Sequence, residues 1–188
     1  MKRYIVFAGV NGAGKTTLFH TSGMWKKLPR VNIDEIVRES GSWQNPQEVF
    51  EAGKKAVRLI KQFFSEGVSF NQETTLCGKG ILQNIKYAKD NGYRVELHFV
   101  GLETSDIAKK RVTKRVAAGG HGVPDADIDR RYSEGLKNLA LVLPLCDAAE
   151  IYDNTIEFRK IACYENGKCV QRDRFFPDWF RGIIETTD

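Results

Sequence analysis

Hydrophobic positions follow two rhythms along this chain. Short unbroken apolar runs, of the kind buried on both faces of a sheet, occur at Arg3–Ala8 and, most clearly, at Tyr93–Val100. Other segments repeat their apolar residues every three or four positions. Over 46–66, Val49, Ala56, Leu59, Ile60 and Phe63 recur in this way, which predicts an amphipathic helix. The predicted order starts with strand Arg3–Ala8, a helix to about Thr21, a short strand Pro29–Ile33 ending at Asp34, and helix Pro46–Glu66. Strand Val68–Gln72 follows, ending at Glu73-Thr74-Thr75, then helix Gly80–Asp90, closed by Asn91-Gly92. After the 93–100 strand come a basic helix Thr104–Ala118 capped by Thr104 or Ser105, a loop Gly119–Pro124, and helix Asp125–Leu143. Strand Ala149–Asn154, a hairpin over Phe158–Val170 turning at Asn166-Gly167, and helix Pro177–Ile184 complete the chain.

Strand–helix alternation implies a parallel sheet with right-handed crossovers. The expected fold is therefore α/β, three layers around a parallel five-stranded sheet. One domain spans 1–188, with two arginine-bearing helices at about 104–143 forming a lid and the C-terminal hairpin and helix at about 156–188. Ligands of such sheets bind at the carboxyl ends of the strands. That rule sets residues 9–16, Asp34, Glu73 and Asn154 along one rim. Strand 68–72 is less apolar than a central strand should be, with Asn71 and Gln72 inside it, so its register stays open.

Composition narrows the class. The chain has 188 residues, 41% hydrophobic and 28% charged, enough for a sizeable core in an ordinary globule. No segment has the apolar length of a membrane span. Met1-Lys2-Arg3 runs straight into the first strand, leaving no room for a signal peptide, so a cytoplasmic protein is expected. Cys77, Cys146, Cys163 and Cys169 form no C-x-x-C pair, and reduced thiols are expected, although Cys163 and Cys169 could face each other across the hairpin. The net charge of +5 suits an anionic substrate. No long basic run or base-stacking motif points to nucleic acid.

The richest chemistry lies at Gly9-Val10-Asn11-Gly12-Ala13-Gly14-Lys15-Thr16, a complete G-x-x-x-x-G-K-[ST] loop between a strand and a helix that continues with Thr17. Glycines let successive backbone N–H groups turn inward around phosphate oxygens, and the helix start adds partial positive charge. Lys15 would reach the β- and γ-phosphates of ATP and is expected to face solvent before ligand binds; Thr16 would ligate Mg²⁺. A dinucleotide fingerprint fits worse, because its third glycine is missing.

Around this loop, Asp34 follows a strand directly. Its carboxylate could accept a proton from an acceptor hydroxyl, hold a Mg²⁺-bound water, or simply cap the next segment. Glu73 could bind an acceptor hydroxyl or orient the Mg²⁺ shell, with Thr74 beside it. Lys109-Lys110-Arg111, Lys114-Arg115 and Arg130-Arg131 flank a Gly-Gly-His-Gly loop. Such arginines suit a lid that offsets charge during phosphoryl transfer and excludes water. Arg111 and Arg115 can share a helix face. Arg130 and Arg131 point about 100° apart, so one of the two should reach the site. A lone loop histidine such as His121 is ordinarily neither switch nor ligand. Asn154 and the loop after it could touch the adenine, or form an ordinary Asx turn.

Taken together, these pieces resemble the zeta-toxin-like P-loop kinases, particularly their stand-alone branch of predicted ATPases. The resemblance runs from about residue 3 to 155. Its most specific stretch is Arg115-Val116-Ala117-x-Gly119-Gly120-His121-x-Val123-Pro124, with Arg130-Arg131-Tyr132. In characterised members ATP phosphorylates a sugar hydroxyl of UDP-N-acetylglucosamine. The resemblance implies Lys15 and Thr16 on ATP and Mg²⁺, Asp34 as base, Glu73 on the acceptor side, and Arg115 with Arg130 or Arg131 as lid arginines. It also makes an antitoxin protein a candidate partner. The chain departs from the branch at Gly135, where serine is expected, and has a brief region between the second and third strands. The reading is an ATP·Mg-dependent phosphotransferase acting on a hydroxyl of a small acceptor. The alternatives are a P-loop kinase for an antibiotic, a nucleoside or a polynucleotide 5′-hydroxyl, and an ATP-binding switch module with little transfer.

Overall fold

Seven strands hydrogen-bond in the order β2-β3-β1-β4-β5-β6-β7. The computed structural model describes residues 1–187 apart from Ser22 and Met24. The strands are β1 Arg3–Ala8, β2 Arg30–Val31, β3 Phe70–Thr74, β4 Arg94–Gly101, β5 Ala148–Asp153, β6 Arg159–Glu165 and β7 Lys168–Arg172. The first five run parallel, and β6 and β7 add antiparallel to the edge beyond β5. The expected five parallel strands are present, and the hairpin extends the same sheet to seven. The helices are α1 Lys15–Thr21, α2 Ile33–Ser40, α3 Pro46–Glu66, α4 Lys79–Asp90, α5 Ser105–Ala117, α6 Asp125–Val142 and α7 Asp178–Thr187. Among the described residues no helix is long and apolar enough to cross a membrane.

Strand alternation divides the core. Tyr4, Val6 and Ala8 of β1 face one layer, with α3, α4 and α7 packed on it; Ile5 and Phe7 face the other, with α1 and α5. Tyr4, Phe64 and Phe70 meet with ring centroids 4.9–5.2 Å apart, the spacing of favourable edge and tilted contacts. The polar character of β3 has a reason. Gln72 accepts from the Tyr4 hydroxyl at 2.5 Å. Asn71, fully buried, accepts from Arg30 Nη1 at 3.0 Å and donates to the Pro29 carbonyl at 3.2 Å. Each buried polar group has a partner, so the strand can lie inside the sheet beside β1, with Tyr4 opposite Phe70.

Three expectations are corrected. The second strand is only two residues long, and α2 starts at Ile33 rather than after an extended stretch. Asn32 caps it, its Oδ1 accepting from the Asp34 N–H at 2.9 Å, so Asp34 lies in the first helical turn and is not the cap. In the hairpin, the Asn166-Gly167 turn sets Cys169 opposite Tyr164, a register shift beyond it sets Cys163 opposite Gln171, and the described residues hold no disulfide.

The last helix closes the rim of the sheet. Trp179 of α7 lies directly over Gly101 at the end of β4, where a Cβ would overlap its indole ring. The indole Nε1 donates to Asp153 Oδ1 at 3.0 Å, at the end of β5.

Candidate active site

β1 delivers the chain into the glycine loop. Gly9 has φ 140°, and a Cβ there would overlap the Val100 carbonyl oxygen, so only glycine lets the strand turn beside β4. Gly12 and Gly14 also have positive φ, 80° and 110°. Val10 O accepts from the Ala13 N–H at 3.1 Å. The Lys15 ammonium donates to the same carbonyl at 3.1 Å, and Lys15 is 7% exposed. It is therefore folded into the loop, not facing solvent as expected. Burial lowers its pKa; Glu73 and Asp34 oppose that shift, and Arg115 and Arg131 add to it. Thr17 is exposed in the first turn of α1.

Glu73 is the last residue but one of β3 and lies beside the loop. Both its oxygens lie 3.0 Å from Thr16 Oγ1, which can donate to one at a time, and Oε1 is 3.9 Å from Lys15 Nζ. Arg30 Nη2 donates to Glu73 Oε2, and Asn32 Nδ2 donates to that oxygen at 3.2 Å. Arg30 also donates from Nε to Glu35 at 2.9 Å, and its guanidinium lies 3.7 Å from the Phe19 ring centroid. Arg30 is thus a clamp on Glu73 that sequence reasoning missed. Thr74 turns away to its own backbone, its Oγ1 accepting from the Leu76 N–H at 3.1 Å. That turn holds the buried Leu76 at φ 62°.

The α5–α6 segment reaches back to the loop at several points. Arg131 Nη1 donates to Asn11 Oδ1 at 2.9 Å. Arg130 instead is 56% exposed and binds Asp127 and Glu134 on its own helix. Of the neighbouring pair, then, Arg131 is brought to the phosphate loop and Arg130 is not. Arg111 donates to the Asn154 carbonyl at 2.7 Å and approaches the Gly12 carbonyl at 3.5 Å. Asn154 Nδ2 donates to the Ala13 carbonyl at 2.7 Å, so its side chain braces the loop. Arg115 Nε donates to the His121 carbonyl at 3.1 Å. Asp34, 34% exposed, sets Oδ2 3.5 Å from His121 Nε2.

No protein-family profile matches the chain. A protein of Haemophilus influenzae is 33% identical over 129 residues, which cover 68% of this chain and 91% of that one. The chain belongs to that protein's family. The relative is described only as an uncharacterized protein, so the kinship carries no activity with it. Solved structures give the fold. The AvrRxo1-ORF1:AvrRxo1-ORF2 complex with sulphate ions matches with TM-score 0.74 and 15% identity, over the whole of this chain and 64% of the matched one. The same complex with ATP matches at 0.71. A structure from the PezAT toxin-antitoxin system of Streptococcus pneumoniae matches at 0.60 with 16% identity, over the whole of this chain and 78% of that one. The fold of this family member is that of the zeta-toxin-like P-loop kinases.

The family member's donor set fits a small hard cation beside phosphate. Thr16 Oγ1 and the Glu73 carboxylate are oxygen donors that already meet at 3.0 Å, and Mg²⁺ takes one or two such protein ligands with phosphates and waters completing its shell. The charge distribution fits ATP. Arg115 and Arg131, from two further helices, both act on the charge of Lys15.

Proposed function

We propose that this protein is an ATP·Mg²⁺-dependent phosphotransferase that moves the γ-phosphoryl group of ATP to a hydroxyl of a small acceptor. One observation carries the reading: the Lys15 ammonium, folded into the glycine loop, lies 3.9 Å from Glu73, whose carboxylate also meets Thr16 Oγ1 at 3.0 Å, while Arg131 binds Asn11 of the same loop. A loop that only held a nucleotide would need the lysine and a hydroxyl. Asp34 supplies a carboxylate one-third exposed, and proton removal from an acceptor requires such a group.

In this reading the loop backbone and Lys15 bind the phosphates. Thr16, with Glu73 behind it, would hold Mg²⁺, which offsets charge on the β- and γ-oxygens when bound. The acceptor oxygen attacks Pγ, its proton passes to Asp34, and the bond from Pγ to the bridging oxygen breaks to release ADP. Arg131 and Arg115 stabilise the charge that spreads over the transferring group. Glu73, clamped by Arg30 and Asn32, serves the metal side of this arrangement rather than the acceptor. UDP-N-acetylglucosamine is the acceptor implied by the zeta-toxin-like resemblance, and an antitoxin-like partner is consistent with the AvrRxo1 and PezAT complexes. A cytoplasmic setting accords with the ATP requirement.

The test is a ³¹P NMR panel of ATP·Mg²⁺ with nucleotide sugars, nucleosides, aminoglycosides and 5′-hydroxyl oligonucleotides. A new phosphate ester supports the kinase and names its acceptor class. Asp34→Asn should then slow transfer about 10²–10⁴-fold while ATP binding persists. Tight ATP binding with no ester from any acceptor would instead favour an ATP-binding switch.

A further inference from the structure

His121 has no task in the phosphotransfer scheme, yet it is the most firmly held residue of the 118–124 loop. Its side chain is only 9% exposed. Three elements grip it. Trp43, in the turn between α2 and α3, stacks on the imidazole with centroids 3.8 Å apart and planes 10° from parallel. Arg115 of α5 binds the His121 carbonyl and sets Nη2 3.2 Å from Nε2. Asp34 of α2 lies 3.5 Å from that same Nε2. The loop folds back far enough for this because of Gly120, where a Cβ would press on the Arg115 side chain at 2.6 Å.

Arg115 and Asp34 make opposite demands on one nitrogen. A guanidinium only donates, so it needs a lone pair on Nε2 and hence the proton on Nδ1. A carboxylate only accepts, so it needs the proton on Nε2. Both cannot be met together, and the shorter contact is to Arg115. The charged groups around the ring are Asp34 and Arg38 on α2, Arg115 on α5 and Arg131 on α6. Burial, first, and the three arginines lower the ring's pKa while Asp34 opposes them, so the ring is neutral near pH 7 and can hold either tautomer.

We propose that His121 is a nucleotide-gated positioning residue for Asp34. While Arg115 occupies Nε2, Asp34 is left without its donor. When Arg115 swings to the phosphates of a bound nucleotide, the ring proton leaves Nδ1, exchanges through solvent and is taken up on Nε2. The Nε2–H then donates to Asp34 Oδ2, fixing the carboxylate's rotamer with Oδ1 free for the acceptor. The Trp43 stack keeps the ring in place through the change. Asp34 is thereby aligned only when nucleotide is present. The role given to Asp34 rests on the phosphotransferase reading; the tautomer exchange does not.

Long-range ¹H–¹⁵N NMR reports imidazole tautomers directly, and the chain has three histidines, so His121→Gln assigns the signal. We expect the Nδ1–H form in the free protein and the Nε2–H form with Mg²⁺ and a non-hydrolysable ATP analogue. Arg115→Ala alone should give the Nε2–H form without nucleotide, and adding Asp34→Ala should lower its share to that of a free imidazole. The Arg115→Ala arm needs no ATP binding, so the inference is tested even if the kinase reading fails. A tautomer that stays Nδ1–H in Arg115→Ala overturns the inference, whatever the activity. Where turnover is measurable, His121→Ala should lower kcat by up to ~10²-fold, the cost of misplacing a reacting group by about 1 Å. KM for ATP should stay within about threefold, and His121→Gln, which keeps a donor, should recover part of the loss. An unchanged kcat in His121→Ala also overturns it.

Discussion

Replacing Arg30 by alanine should unfold this protein far more easily than replacing any exposed arginine. Arg30 and Glu73 are each only 9% exposed at the side chain and are bonded to each other. Removing one partner of a buried ion pair costs ~3–5 kcal/mol, because the other charge stays buried. The lost contact with the Phe19 ring adds ~0.5–2 kcal/mol. Lys15, 3.9 Å from Glu73, offsets part of this, so a net loss of about 3–4 kcal/mol is expected. That is a large share of a typical total of ~5–15 kcal/mol. For a chain of this length it lowers the melting temperature by about 6–16 °C and, at ~2.5 kcal/mol/M in urea, the midpoint by about 1.4 M. Urea titration followed by tryptophan fluorescence measures it. Arg30→Lys keeps the charge but not the fork, and should fall between. Arg30→Ala combined with Glu73→Gln should cost less than the sum, since a neutral amide no longer needs a countercharge. A change under about 0.5 kcal/mol for Arg30→Ala, or strict additivity in the double variant, refutes the reasoning.

Other outcomes follow from the same contacts. Lys15→Ala should abolish measurable ATP affinity in calorimetry while circular dichroism stays native; unchanged affinity sinks the phosphate-loop assignment. The 118–124 loop should gain protection from hydrogen exchange when an ATP analogue binds, whereas equal protection in both states argues for a fixed basic face. Glu150 is held well below the usual carboxylate range, first by His98, 3.1 Å away, and further by Tyr152 and Lys160, with burial opposing. A depressed pKa stabilises the fold above its unfolded value of about 4.3, and that stability is lost as pH falls below it. Glu150→Gln should flatten the acid limb of stability against pH, and an unaltered limb would place the acid sensitivity elsewhere. Cys146, 1% exposed with its thiol pushed up to about 12, should react with a thiol reagent only on unfolding, after Cys77, Cys163 and Cys169.

Much of the architecture was legible because its signals are local. The apolar runs of β1 and β4, the loop from Gly9 to Thr16 and the helical rhythm of α3 each depend on neighbours in sequence. The α2 helix was missed, although Asn32 with Glu35 three residues on is a capping-box spacing, and Asn32 Nδ2 does meet Glu35 at 3.3 Å. The stretch Pro29–Ile33 reads as a strand instead, which carries the expected strand past the true helix start at Ile33. The contacts that shape the candidate site are of another kind. Arg30 finds Glu73 across 43 positions, Arg131 finds Asn11 across 120, and Trp43 meets His121 across 78. No periodicity encodes such pairs; the first exists because the sheet order sets β2 beside β3, which lies next to β1. The hairpin is more local: its two-residue turn at Asn166-Gly167 pairs Glu165 with Lys168 and therefore Tyr164 with Cys169, and only the Cys163–Gln171 pairing comes from the bulge.

The Trp179 indole over Gly101 has a consequence for the protein's birth. β4 and β5 end at the rim that carries the glycine loop, but the buried Asp153 carboxylate gets its indole donor only after 26 further residues have been made. At ~5–20 residues per second that is a delay of roughly 1–5 s during translation. Through that interval the nascent chain already carries a finished phosphate loop beside an open apolar seam on β4. Ribosome-bound chains stopped before Trp179 should therefore recruit chaperones, and all 188 residues held clear of the ribosome on a C-terminal linker should not.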